Sequence, residues 1–198
     1  SKKEIVPLID RALSDLEGAR IQKGLHSTMV RYDIALANAF GTFRTILEAN
    51  VSESCESESI STGDAAVKNR QLPRVVRVMR FDVAMANKLA AWNERELVRD
   101  LYDVYFMNKH LNQFPHLPTL TARLKKINYA RRVKGPSQSR SRTLTEFWDH
   151  LEQKVRELTD AAIQEEMRDS LDPVQQAGLA LKIKATLTQM VERMRGAR

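Results

Sequence analysis

The sequence lacks several features that define large classes of proteins. Its 198 residues include one cysteine, Cys55, so no disulfide can form within the chain, and such sparing use of cysteine is typical of the reducing cytoplasm. One cysteine and four scattered histidines provide no pair of ligands at the spacing of a zinc site. No apolar run approaches the roughly 18 residues that cross a bilayer. We therefore expect a cytoplasmic globular protein with no membrane partner.

Two further absences concern the start of the chain and its loops. The chain begins Ser1-Lys2-Lys3-Glu4, without an initiator methionine or an apolar signal region, so we expect a fragment or a processed chain. Glycine is scarce, with seven residues, and residues 61–70 lack the glycines and the following Lys-Ser/Thr of a phosphate-binding loop. This segment is therefore excluded as a phosphate-binding loop.

What the sequence does contain is an excess of positive charge. The net charge is +7 and the pI is about 9.7, a balance that favours contact with phosphates. Residues 123–142 hold eight lysines and arginines and no acid. One interpretation is a solvated helix end with a loop, and the other is a salt-sensitive contact with the phosphate backbone of RNA. In the second case the candidate RNA-binding residues are Arg131, Arg132 and Lys134.

The periodicity of apolar residues predicts different elements in the first part of the chain. Residues 3–18 recur at helical spacing, and Gly18 is a plausible stop. Residues 29–36 and 42–51 alternate with a period of two around a turn, which predicts an antiparallel hairpin. On the second strand Glu48 falls on the polar face.

The rest of the chain changes character after one more strand. Residues 52–63 are acidic and serine-rich and predict a loop, and residues 73–80 predict a short strand. Helices follow near 82–93, 95–109, 118–130, 143–168 and 173–195. We therefore predict an α+β fold, in which a mixed or antiparallel sheet with helices in residues 1–80 precedes a helical region in residues 81–198.

The predicted helix 95–109 combines apolar residues on nearly all sides with two carboxylates. A helix of that kind is usually buried, and Asp100 and Asp103 lie on the same side of it. Buried carboxylates need cations or several hydrogen-bond donors. We expect Arg99 to neutralise Asp100 and Lys88 to reach Asp103 from the preceding helix. On this chemistry alone, a structural ion pair is one interpretation.

A longer motif resembles the AbiEii/AbiGii family of nucleotidyltransferase toxins. Residues 78–107, VMRFDVAMANKLAAWNERELVRDLYDVYFM, are similar to the family's strand, its helix with a lysine before Leu and Ala, and its Arg-Asp-Leu-Tyr-Asp start of the next helix. Lys88-Leu89-Ala90 and the run from Arg99 to Asp103 match these elements. The strand at 40–51 resembles the family strand with an acidic residue, which makes Glu48 the matching position.

The resemblance implies a polymerase-β-like fold that transfers a nucleotide from an NTP to an acceptor, with RNA ends as one acceptor class. It further implies Mg²⁺ held by carboxylates, with Glu48 as one acid near the metals, and a cognate antitoxin as partner in a toxin–antitoxin or abortive-infection system. Lys88 and Arg99 would contact the nucleotide, and Asp103 would orient Lys88 or the acceptor.

The sequence departs from the family pattern at its start. Family members begin with a Gly-Ser or Gly-Gly turn and an Asp-x-Asp pair that holds the metals, and residues 1–198 contain neither. We therefore expect a fragment that starts after the metal-binding motif and is inactive alone. A catalytically degenerate nucleotide- or RNA-binding protein is one alternative. A ribonuclease-type helical module that uses Arg20 and His26 is another.

Overall fold

The computed structural model describes four stretches of the chain: residues 2–26, 29–50, 56–125 and 141–196. The chain divides into two compact units, residues 1–55 and residues 56–198, and each unit is described by itself. The predicted functional division after residue 80 stays a prediction. The α+β class with a helical C-terminal region is confirmed, because antiparallel sheets precede a long run of helices.

The first unit is one helix followed by a three-stranded antiparallel sheet. The elements are α1 (Lys2–Ser14), β1 (Ala19–Leu25), β2 (Met29–Asn38) and β3 (Gly41–Asn50), and the strand order is β1-β2-β3. The predicted β2-β3 hairpin is confirmed. It closes tightly because Gly41, opposite Asn38, adopts φ +135, which favours glycine. The helix ends earlier than expected, and the strand β1 was not predicted.

The helix α1 is held to the sheet by a buried tyrosine and a surface ion pair. Tyr32 on β2 is 1% exposed, and its hydroxyl donates to Asp10 of α1 at 2.8 Å. Lys23 Nζ on β1 donates to the same carboxylate at 2.6 Å. Hydrogen bonds from Lys23 and then Tyr32 lower the pKa of Asp10 below its ordinary value. An ion pair to β1 and a hydrogen bond to β2 therefore join α1 to two neighbouring strands.

The second unit begins with a two-stranded antiparallel sheet. The sheet consists of β4 (Ser57–Ser61) and β5 (Val75–Met79), and the helix α2 (Gly63–Lys68) lies between them in the chain. The strand predicted at 73–80 is confirmed. The loop predicted at 52–63 is wrong for Ser57–Ser61, because the backbone of this serine-rich segment pairs with β5 along its length; residues 52–55 lie outside the described part of the chain.

Seven described helices follow, and they differ in number from the prediction. They are α3 (Phe81–Arg95), α4 (Val98–Leu111), α5 (Leu117–Lys125), α6 (Leu144–Glu157), α7 (Asp160–Met167), α8 (Pro173–Gln176) and α9 (Leu179–Gly196). The helix predicted at 143–168 is two helices, because Leu158 leaves the helical conformation and Thr159 caps α7. The helix predicted at 173–195 breaks at Gly178, which adopts φ +67.

The helices of the second unit enclose one hydrophobic core. Its largest fully buried side chains include Trp92, Phe147, Trp148, Leu151, Ile183 and Leu187, and the Trp92 and Phe147 rings meet edge to face at 6.1 Å. Helix α3 packs on α4 and α5, and α9 packs on α6 and α4. The expectation that α4 is buried on all sides is wrong, because Phe106 is 43% exposed.

No helix in the described residues is both long and apolar enough to cross a membrane.

Candidate functional site

Lys88 and Asp103 meet on the surface of two packed helices. The helix α3 carries Lys88 and ends at Arg95, and the left-handed backbone of the next residue, Glu96 (φ 51), turns the chain toward α4. Lys88 Nζ lies 2.5 Å from the Asp103 carboxylate on α4, and the two side chains are 42% and 40% exposed. The expected contact of Lys88 with Asp103 from the preceding helix is therefore present, and a ligand can reach it because both side chains are partly exposed. The roles predicted for the two residues stay predictions.

The second carboxylate of α4, Asp100, is fully buried and has a different partner from the expected one. Arg95 Nε and Nη2 donate to its two oxygens, each at 2.7 Å, which is the bidentate geometry of a strong charge-assisted pair. Lys88 Nζ is 3.9 Å away. Arg99 as the partner of Asp100 is therefore wrong. Arg95 ends α3 where that helix meets α4, whereas Arg99 faces outward from the first turn of α4.

Arg99 is exposed, and among the described residues its guanidinium makes no ion pair. Its backbone N–H and that of Val98 both donate to the carboxylate of Glu166 on α7, at 3.1 and 2.8 Å. Glu166 thus caps α4 from a distant part of the chain. One local feature indicates the need for such a partner: Leu97, at the N-cap position, has no side chain that accepts a hydrogen bond.

The charges of this cluster leave Arg99 available to an anion. Asp100 is neutralised by Arg95 inside the protein. At the surface, Lys88 pairs with Asp103, and the Glu166 carboxylate accepts a hydrogen bond from the backbone N–H of Arg99. The two surface cations are therefore matched by two carboxylates, and Arg99 is the cation whose guanidinium makes no ion pair among the described residues. An exposed guanidinium of this kind can bind a phosphate group.

Glu48, the predicted metal ligand, belongs to the first unit and is paired with a cation. Arg31 lies opposite Glu48 in the β2-β3 register, and Arg31 Nη1 is 3.4 Å from its carboxylate. Arg31 also donates to Asp33 at 2.9 Å, a hydrogen bond that lowers the pKa of Asp33. Across the described ranges, no group of three or more His, Cys, Asp or Glu side chains could hold a metal ion. The assignment of Glu48 to a metal stays a prediction.

The three predicted RNA-binding cations lie outside the described residues: Arg131, Arg132 and Lys134. Two of the described cations of the basic segment 123–142 contact the protein, whereas Lys125 is exposed. Arg142 donates to the buried Asn93 of α3, and Arg123 Nη2 lies 3.7 Å from the buried Glu94 carboxylate. Two of the segment's cations therefore anchor it to α3 and are not free to bind phosphate.

The ribonuclease-type interpretation of Arg20 and His26 is wrong. That chemistry needs both residues on or beside a helix, and the structure places Arg20 on the strand β1 (Ala19–Leu25), with His26 directly after it.

Comparison with known proteins gives one result. The family model described as "Nucleotidyl transferase AbiEii toxin, Type IV TA system" matches residues 17–192. The match runs from before β1 into α9, so it includes parts of both compact units and the whole Lys88–Asp103 cluster. No curated protein and no solved structure gave a match. The chain therefore belongs to the AbiEii family of nucleotidyl transferase toxins of type IV toxin–antitoxin systems.

Proposed function

We propose that Lys88 and Arg99 bind the triphosphate of an NTP, in a reaction that transfers its nucleotide to an acceptor. The observation that carries this proposal is the exposed ion pair between Lys88 and Asp103. In this ion pair Asp103 orients the Lys88 ammonium. The ammonium then provides positive charge beside the negatively charged phosphates of the substrate.

The exposure of this pair argues for a ligand-binding role rather than a structural one. Surface ion pairs contribute about 0–1 kcal/mol to stability, so the Lys88–Asp103 contact does little to hold α3 against α4. The buried pair of Asp100 with Arg95 and the hydrophobic core already join the two helices. Lys88 is therefore held in place by a scaffold that does not depend on it.

Nucleotidyl transfer also needs carboxylates that hold divalent ions, with Mg²⁺ as the ion that the family resemblance implies. Residues 1–198 contain no Asp-x-Asp pair, and Glu48 is paired with Arg31. The described residues do not fit a Mg²⁺ site. We propose that this polypeptide binds nucleotide and that transfer depends on an Asp-x-Asp pair, which residues 1–198 lack. The Arg31–Glu48 pair equally supports the second candidate, a catalytically degenerate nucleotide- or RNA-binding protein.

Two partners belong to the same proposal. RNA as acceptor is supported by the six lysines and arginines of residues 123–142 other than Arg123 and Arg142, and by the lack of acidic residues within that segment. A cognate antitoxin is supported by the type IV toxin–antitoxin description of the family.

The experiment that tests the proposal measures ATP affinity by titration calorimetry in buffer with EDTA, so that no metal bridges protein and phosphate. We expect Lys88→Ala to weaken ATP binding about 10-fold, in line with loss of one charged hydrogen bond of about 1.5 kcal/mol. Lys182→Ala removes an equally charged, exposed lysine of α9 and should leave the affinity unchanged. The proposal fails when the unmodified chain does not bind ATP, or when Lys88→Ala changes only the unfolding midpoint.

A further inference from the structure

One face of α4 carries a row of exposed side chains that begins with a cation and ends with two aromatic rings. The row consists of Arg99, Asp103, Phe106 and His110, spaced four, three and four residues apart. At 100° per residue these four positions lie within about 60° of each other around the helix. Arg99, Phe106 and His110 are exposed, and Asp103 is partly exposed. The row is therefore one continuous surface that includes the Lys88–Asp103 pair.

The aromatic end of the row is a pair of rings in contact. The Phe106 and His110 centroids are 4.9 Å apart with 35° between the ring planes, and Phe106 is 43% exposed. Other exposed apolar side chains of this unit, such as Val174 and Leu181, are aliphatic and lie on other helices. The two rings partly stack on each other, and the exposed part of this aromatic pair is a surface on which a nucleobase can continue the stack.

Distances along the helix match this surface to a nucleotide. With a rise of 1.5 Å per residue, Phe106 lies about 4.5 Å and His110 about 10.5 Å beyond Asp103, whereas Arg99 lies about 6 Å before it. A nucleotide separates its base from its phosphates by a length of this order. The phosphates would then meet Lys88 and Arg99 while the base reaches the rings.

We propose that Phe106 and His110 form a stacking platform for the base of the nucleotide whose phosphates face Lys88 and Arg99. This inference rests on the proposed function and adds the part of the ligand that the cations do not recognise. Stacking on aromatic rings accepts every base, because every base has a π-face. The platform should therefore bind all four NTPs, with the larger purines bound more tightly than the pyrimidines.

A comparison of two ligands separates the base from the phosphates. ATP carries both, whereas inorganic tripolyphosphate carries the phosphate charge alone. We expect Phe106→Ala to weaken ATP binding about 10-fold, as loss of a base-stacking ring does, and to leave tripolyphosphate binding unchanged. Lys88→Ala should weaken both ligands. The control Leu181→Ala, which removes an aliphatic side chain that is 72% exposed, should weaken neither.

Two further variants test whether the ring itself matters. Phe106→Leu keeps an apolar side chain without a π-face and should bind ATP as weakly as Phe106→Ala. Phe106→Trp keeps the ring and should retain affinity, with quenching of the introduced indole fluorescence by ATP and none by tripolyphosphate. Because Phe106 is exposed, we expect thermal unfolding of all these variants to match the unmodified chain.

The possible failures are distinguishable. Equal loss of ATP and tripolyphosphate binding in Phe106→Ala, or full affinity in Phe106→Leu, overturns the stacking platform and leaves the proposed function standing on Lys88→Ala. Absence of binding of either ligand by the unmodified chain overturns both proposals.

Discussion

The Asp100 carboxylate is fully buried and receives two hydrogen bonds of 2.7 Å from the Arg95 guanidinium, whereas its neighbour Asp103 meets Lys88 at the surface. Two carboxylates one helical turn apart therefore have different environments. Removal of one partner from a buried pair leaves an uncompensated charge inside the protein, and removal of one from an exposed pair leaves a charge in water.

This contrast predicts different costs for two similar substitutions. Asp100→Ala should lower the free energy of unfolding by about 3 kcal/mol, the low end for a broken buried pair, because Arg95 retains some contact with solvent. Asp103→Ala should lower it by less than about 1 kcal/mol. Urea denaturation followed by circular dichroism measures both values. Equal losses would mean that the Lys88–Asp103 pair is structural, against the proposed function.

A second prediction concerns the start of α4, where Glu166 accepts hydrogen bonds from the backbone of Val98 and Arg99. Glu166→Ala should cost about 1–2 kcal/mol, because two amide groups lose a charged acceptor at a helix N-terminus. Glu165→Ala is the matched control, since Glu165 is the adjacent, exposed glutamate. A comparable loss in both variants, measured by urea denaturation, would contradict a capping role for Glu166.

The local pattern of the sequence was sufficient for the elements whose periodicity is regular. The alternation in residues 29–36 and 42–51 predicted the β2-β3 hairpin, since one face of each strand is apolar. The motif around Lys88 and Asp103 predicted their contact, because two helices joined by a short turn bring these positions together. In both cases the residues concerned are close in the sequence, within one hairpin or within two consecutive helices.

What the sequence did not predict depends on partners that are far away in the chain. The strand β4 forms in a serine-rich segment because β5 supplies its hydrogen bonds. Glu166 reaches α4 from 67 residues away, and no local pattern marks it. The sequence does not distinguish Arg95 from Arg99 as the partner of Asp100, because adjacency along the chain does not show which arginine faces the interior.

A third prediction follows from the capping box of α6. The backbone N–H and then the hydroxyl of Thr143 donate to Glu146, and they lower the pKa of Glu146 below its ordinary value of 4.5. A lowered pKa means that this contribution to stability is complete above the unfolded value and is lost as the pH falls through the folded value. The melting temperature of Glu146→Gln should therefore lie below that of the unmodified chain at pH 7, and the difference should shrink below pH 4.5. A constant difference across this range would contradict the charge-assisted cap.

A fourth prediction compares two leucines of α9. Leu187 is 0% exposed and lies in the core, whereas Leu181 is 72% exposed. Leu187→Ala should lower the free energy of unfolding by about 3 kcal/mol through lost burial and a residual cavity, and Leu181→Ala should change it by less than about 0.5 kcal/mol. Guanidinium denaturation measures both. A small loss for Leu187→Ala would show that the helical core is loosely packed at this position.

The last prediction tests the RNA contact through its dependence on salt. Each phosphate contact in a single strand contributes about 0.7 to the slope of log affinity against log salt. A variant with Arg131, Arg132 and Lys134 all changed to alanine should therefore reduce that slope by about 2. The measurement is fluorescence anisotropy with a labelled single-stranded RNA from low to moderate salt.

The control for this variant removes the same charge elsewhere, at Arg168, Lys182 and Lys184 of the second unit. If the control lowers the slope as much, the attraction reflects net charge and not a contact at 123–142. An affinity that does not change with salt would contradict a phosphate contact altogether. A reduced slope in the first variant alone would assign the acceptor strand to the basic segment, because Arg123 and Arg142 at its ends are already engaged with α3.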